Sequence, residues 1–197
     1  MTASDAPTNP LPVAVASDGP QVSTQRHHPT AVRAGRPSGA EALHALSGLL
    51  LLEESRQSAL QLVVEASREG VPGVAEASVT LLDTRSAAST SWTGLLAQEL
   101  DVVQYGLDEG PCLEAARSGV PIWIPNMRAE HRWPHFAEQA LRRGVLSAFA
   151  VPLLAGRQAR GALDLYSTRV SGLNARARRT AGQYAQLGSD VLTRMSA

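Results

Sequence analysis

The stretch GPCLEAARSG, Gly110 to Gly119, holds the only cysteine of the 197-residue chain. Gly110 and Pro111 stop one element, Cys112 opens a short amphipathic helix, and Gly119 closes it. A helix N-terminus carries a positive partial charge, which favours a thiolate. Cys112 is therefore either a reactive or ligand-contacting thiol, or a small buried side chain. Without a second cysteine there is no internal disulfide, so a disulfide-exchanging enzyme has no resolving partner. A sulfenic acid or an intermolecular disulfide is still open to a sensor thiol.

Other residues could also do chemistry. His131 and His135 stand four residues apart, a spacing that can place two metal ligands on one helical face. Pro134 suits a first helical turn, which leaves His131 in the preceding loop, and no cysteine or further histidine is near. His27 and His28 lie in a polar stretch without other ligand types. No metal site is expected. In GALDLYS, Gly161 to Ser167, strand alternation puts Ala162, Asp164 and Tyr166 on one face and Leu163 and Leu165 on the other. The aliphatic face should pack on helices and turn Asp164 and Tyr166 toward a pocket. A carboxylate there needs a partner, and Arg132 is the candidate. Trp123, Trp133, Phe136, Phe149 and Tyr166 read either as domain core or as pocket lining.

These residues need elements to position them. Residues 1–38, rich in Pro, Ser, Thr, Ala and Gly, read as a disordered tail, and residues 39–197 as one domain. A long helix is expected from Gly39 to Gly70, with Gly70 and Pro72 as its stop. Its four leucines, Leu49 to Leu52, cover most of the helix circumference. A helix apolar all round is buried on more than one side. A homodimer through Leu43, Leu46, Leu49, Leu50 and Leu52, extending to Leu60 and the last helix, is the simplest partner. Strands follow at Gly73–Leu82 and Thr90–Trp92. A helix over residues 94–105 should turn Leu95, Leu96, Leu100, Val103 and Tyr105 inward. After the GPCLEAARSG helix come a strand at Val120–Ile124, a helix from Pro134 to Gly144, a hairpin at Ser147–Leu154 and Arg160–Ser167, and a last helix at Ala175–Met195. The pattern is α+β, with an antiparallel sheet, terminal helices on one face and a pocket on the other.

Composition excludes several functions. The formal net charge is zero and all 18 basic residues are arginine. Without lysine there is no Schiff base and no Walker phosphate loop. Direct nucleic-acid or membrane binding is not expected, including from Arg176, Arg178 and Arg179, which lack an aromatic platform. The N-terminus has no apolar signal region, and a cytoplasmic location is the expectation.

Several ordered blocks carry a resemblance: Gln104-Tyr105, Glu109 to Cys112, Glu114-Ala115, Glu130, Arg132 to Pro134, Phe136-Ala137, Gly144-Val145, Ser147, Val151 to Leu153 and Gly161 to Ser167. Together they resemble actinobacterial GAF domains, notably those that precede the RNA-binding ANTAR module of antitermination regulators. Residues 40–195 are covered. Asn126 and Asp164 depart from the family's usual aspartate and asparagine. An ANTAR module needs about 50 residues beyond the last helix, whereas this sequence ends at Ala197, so RNA binding is not carried over. The resemblance implies a GAF (PAS-like) fold whose pocket is lined by Tyr105, Cys112, Trp123, Arg132, Trp133, Phe136, Asp164 and Tyr166. It implies a non-catalytic sensor in signal transduction or transcription regulation. Such a module binds a small ligand or senses redox state, and signals through a homodimer or a partner protein. The alternatives are a pure dimerisation module and a thiol-dependent reductase using Cys112. No cofactor is indicated.

Overall fold

The computed structural model describes residues 56–82 and 87–194. The expected tail, Leu43, Leu46, Leu49, Leu50, Leu52 and Met195 lie outside the described residues. The elements are helix α1 (Arg56–Gly70), strands β1 (Glu76–Leu82) and β2 (Ala87–Trp92), and helices α2 (Leu95–Leu107) and α3 (Pro111–Ser118). They are followed by β3 (Ile122–Ile124), a 3-10 turn (Met127–Ala129), α4 (Pro134–Arg142), β4 (Ser147–Ala155), β5 (Gln158–Ser167) and α5 (Ala175–Arg194). The strands form an antiparallel sheet in the order β2-β1-β5-β4-β3.

The alternation in β5 divides the molecule as its sequence predicts. Leu163 and Leu165 pack with Leu60, Val63 and Val64 of α1 and with Ala177, Ala181 and Tyr184 of α5. Burying each such leucine stabilises the fold by about 1.5–3 kcal/mol. Ser189 on α5 ties this layer to β4 by accepting the Leu154 N–H at 2.9 Å. Tyr166 points the other way, into a second core with Leu100, Phe136, Trp133 and Ile124. Leu60 is fully buried in its own domain, so it does not extend the expected dimer face.

Some boundaries differ from the sequence reading. β1 begins at Glu76 rather than Gly73, because Gly73 has φ +88° and Val74 closes a turn on Val71. β3 starts at Ile122, and Val120 is left exposed. In α2 the inward stripe is Ala97, Leu100, Asp101 and Gln104, while Leu95 is 72% exposed. Leu96 and Val103 pack against the core beside Leu100 as expected, and two polar residues share the inward face.

The strand β5 also needs glycine at its centre. Gly161 pairs with Leu81 on β1 and Leu153 on β4, and a Cβ there would strike the Thr80 carbonyl oxygen. Backbone cannot yield as a side chain does. Gly161→Ala is expected to lower stability by about 1–3 kcal/mol, read as a shifted urea midpoint.

Candidate functional site

Three helices cover the face of the sheet that carries Asp164 and Tyr166, and each has a poorly capped N-terminus. Gly94, Gly110 and Trp133 supply no side-chain cap to α2, α3 and α4. Side chains from distant elements do so instead. Glu76 Oε2 accepts the Ala97 N–H at 2.9 Å, Gln104 Oε1 accepts the Cys112 N–H at 2.9 Å, and Glu109 Oε1 accepts the Phe136 N–H at 2.8 Å. Gly110, at φ +137°, makes room for Gln104, whose amide a Cβ would displace.

Beneath these caps lies a buried polar cluster. Tyr166 OH donates to Asp101 Oδ1 at 2.9 Å and accepts from Gln104 Nε2 at 3.1 Å. Thr80 Oγ1 accepts from Cys112 Sγ at 2.9 Å, lies 2.8 Å from Tyr105 OH, and reaches Asp164 Oδ2 at 3.4 Å. Thr80, Asp101, Gln104, Cys112, Asp164 and Tyr166 are all buried, while Tyr105 is half-buried. The single Thr80 proton goes to Tyr105 or to Asp164, according to whether the carboxyl holds a proton of its own. Asp164 Oδ1 has no hydrogen-bond partner.

Burial pushes the Asp164 carboxyl well above the usual carboxylate range, and the Asp101 charge pushes it the same way. Bonds from Cys112 and Thr80 oppose this only in part. Burial likewise raises the Cys112 thiol, with Asp164 and Asp101 adding to it. Of the two readings of Cys112, the structure shows the small buried side chain. A helix N-terminus contributes about 0.3–1 kcal/mol when exposed, which is small beside the desolvation of a buried charge. The Tyr166 hydroxyl is raised by burial and by both aspartates.

The eight residues expected to line a pocket therefore separate. Tyr105, Cys112, Asp164 and Tyr166 meet in the polar cluster. Trp133 and Phe136 are core residues beside Tyr166. Arg132 is exposed; it pairs with Glu130 at 2.7 Å and stacks 4.3 Å from the Trp133 ring centre. It is not the partner of Asp164. Trp123 lies on the opposite face, in register with Phe149 and under Arg178 of α5 at 3.5 Å. Trp123 and Phe149 thus belong to the terminal-helix side, since cross-strand partners share a face. A groove of about 430 Å³ runs along α1 between Gln57, Gln61 and Glu65, away from the cluster.

Sequence reasoning missed Ser78, Thr80, Asp101 and Gln104. The available signal was the polar pair at Asp101 and Gln104 inside an otherwise apolar helix. Asn126, one of the two family departures, caps the 3-10 turn by accepting the Arg128 N–H at 3.1 Å. His131 precedes α4 in the loop, as Pro134 indicated. Among the described residues no group of three or more His, Cys, Asp or Glu could hold a metal ion, and no helix is long and apolar enough to cross a membrane.

An antiparallel sheet with terminal helices on one face and a helical cover over buried polar groups on the other defines an α+β domain. Residues 53–193 match the family model described as GAF domain, and the chain belongs to that family. The structure is similar to the GAF domain of an Acinetobacter phosphoenolpyruvate-protein phosphotransferase, with TM-score 0.63 and 16% identity over 82% of this chain and 97% of that one. It is also similar to free methionine-R-sulfoxide reductase from Neisseria meningitidis, with TM-score 0.63 and 18% identity over 81% and 92%. A domain of a two-component sensor histidine kinase protein from Sinorhizobium meliloti has TM-score 0.61 and 16% identity over 74% and 95%. At these identities the likeness is one of fold. None of the curated proteins matches the sequence.

Two outcomes follow from the buried acid and thiol. Asp164 binds its proton more tightly folded than unfolded, where aspartate titrates near pH ~3.9. The stability it contributes is complete below that pH and is lost as pH rises toward the folded value. Asp164→Asn removes this loss. Its stability advantage over wild type should grow from pH 5 to pH 8 and exceed about 1 kcal/mol at neutral pH in urea titrations. A constant difference across that range rejects a protonated Asp164. The native Cys112 thiol should label with a disulfide reagent only as fast as the protein opens, and at once in denaturant.

Proposed function

We propose that this chain is a non-catalytic sensor module, which takes up a small polar molecule over the sheet and passes the change through a homodimer or a partner protein. The observation that carries the reading is the buried cluster around Asp164, where an acid on the central strand keeps an unpartnered oxygen. A domain that only dimerised would have no use for two buried aspartates. The central strand is also the mechanical link. Its other face, Leu163 and Leu165, holds the terminal helices, so a change at Asp164 needs to travel only through one strand.

The signalling proteins among the similar folds support a regulatory role, and the actinobacterial GAF–ANTAR resemblance supports transcription regulation in particular. Cys112 weighs against redox sensing and against a thiol-dependent reductase. Its sulfur is buried and its proton is held, while both chemistries begin with an accessible thiolate.

Native mass spectrometry of the protein purified from its own cells tests the reading. The expected species is a dimer that retains a small molecule. A dimer without any such molecule assigns pure dimerisation instead, and a bare monomer rejects both. For the interface, Leu46→Arg with Leu50→Arg should shift the chain to monomer in sedimentation at micromolar concentration while leaving its circular dichroism unchanged.

A further inference from the structure

Ser78 and Asp164 stand opposite each other in the β1–β5 register. Cross-strand partners share a face, so both point to the side covered by α2 and α3. Ser78 is fully buried and Asp164 is 1% exposed. Ser78 Oγ and Asp164 Oδ1 are each buried without a hydrogen-bond partner. Native interiors satisfy nearly all such atoms, so two at paired positions point to a shared ligand group.

The surroundings restrict what that group can be. Asp164 is faced by Thr80 from β1, by Asp101, Gln104 and Tyr105 from α2, and by Cys112 from α3. Tyr166 is its neighbour on β5, and Ala150 is its register partner on β4. Asp101 and Asp164 are the ionisable acids of the set, and it contains no arginine or histidine. An anion would be repelled. Among the described residues no group of three or more His, Cys, Asp or Glu is placed to hold a metal ion. Both orphan oxygens can accept a hydrogen bond.

We propose that Ser78 and Asp164 form a subsite for the primary ammonium group of a small amine. The proposal rests on the reading that this face binds a small molecule, and it names the chemical class of that molecule. The ammonium N–H groups donate to Asp164 Oδ1 and Ser78 Oγ. Binding is an exchange of cations: one ammonium enters and the Asp164 carboxyl gives up one proton. The route out runs from Asp164 Oδ2 through Thr80 Oγ1 to Tyr105 OH, which is half-buried at the edge of the cluster. Because the carboxyl must ionise, affinity rises by up to about tenfold per pH unit until the acid is already deprotonated. Burial raises the Tyr166 hydroxyl and the Cys112 thiol, so both keep their protons over that range.

The test uses methylammonium chloride, with sodium chloride and tetramethylammonium chloride at equal ionic strength as references. Melting temperature is followed at pH 6, 7 and 8 for wild type, Asp164→Asn and Ser78→Ala. Methylammonium should raise the wild-type melting temperature above both references, more at pH 8 than at pH 6. The increment should vanish in Asp164→Asn, which keeps the size of the side chain, and shrink in Ser78→Ala. An equal increment in Asp164→Asn, an increment matched by tetramethylammonium, or no increment in wild type overturns the subsite. If wild type ignores methylammonium yet retains a neutral or anionic molecule in native mass spectrometry, the ammonium subsite falls and the sensor reading stands. If it ignores methylammonium and retains nothing, both fall.

Discussion

The side-chain amide of Gln104 joins the three parts on which the site depends. Its oxygen caps α3 at Cys112 and its nitrogen reaches the Tyr166 hydroxyl on β5. Without it the first turn of α3 would lose its cap, and the sheet would lose one of its polar links to α2. Glu76 and Glu109 do the same for α2 and α4. The helical cover is therefore held by long-range capping as well as by apolar packing. Each such cap is worth about 0.5–2 kcal/mol, and each works only when the sheet and the helices are already in place. The cover and the sheet must form together.

This arrangement accounts for the electrostatics underneath. Helices docked so closely exclude water from Asp101, Asp164 and Cys112. Two aspartates in one dry volume disfavour a second negative charge, so Asp164 tends to keep its proton and Cys112 its own. A buried acid of this kind is a group suited to respond to a cation or to a change of pH. Its position on β5 places that response against the strand that supports α1 and α5.

Much of the fold was legible in the sequence because the signals are local. The period-two alternation of GALDLYS, the Pro134 start of α4, the Gly110 and Gly119 limits of α3 and the hairpin between β4 and β5 all lie within a few residues. The site was less legible. Trp123 fell on the wrong side of the sheet in the sequence reading, because the face of a three-residue edge strand is set by its register with Phe149. Arg132 was matched to Asp164 by charge alone, while a nearer carboxylate, Glu130, takes it at far lower cost in chain order. The inward positions of Asp101 and Gln104 on α2 were hidden, because hydropathy assigns such residues to solvent.

What the sequence alone determined is the α+β order of elements, the two faces of β5 and the position of Cys112 at a helix start. Those follow from residue periodicity and turn chemistry, which act over a few bonds. Only the tertiary structure decided the state of that thiol and of Asp164. Their ionisation depends on how much water the assembled helices exclude, and on the Asp101 charge that packing brings beside both of them. Desolvation is a property of the packed whole, and no local pattern encodes it.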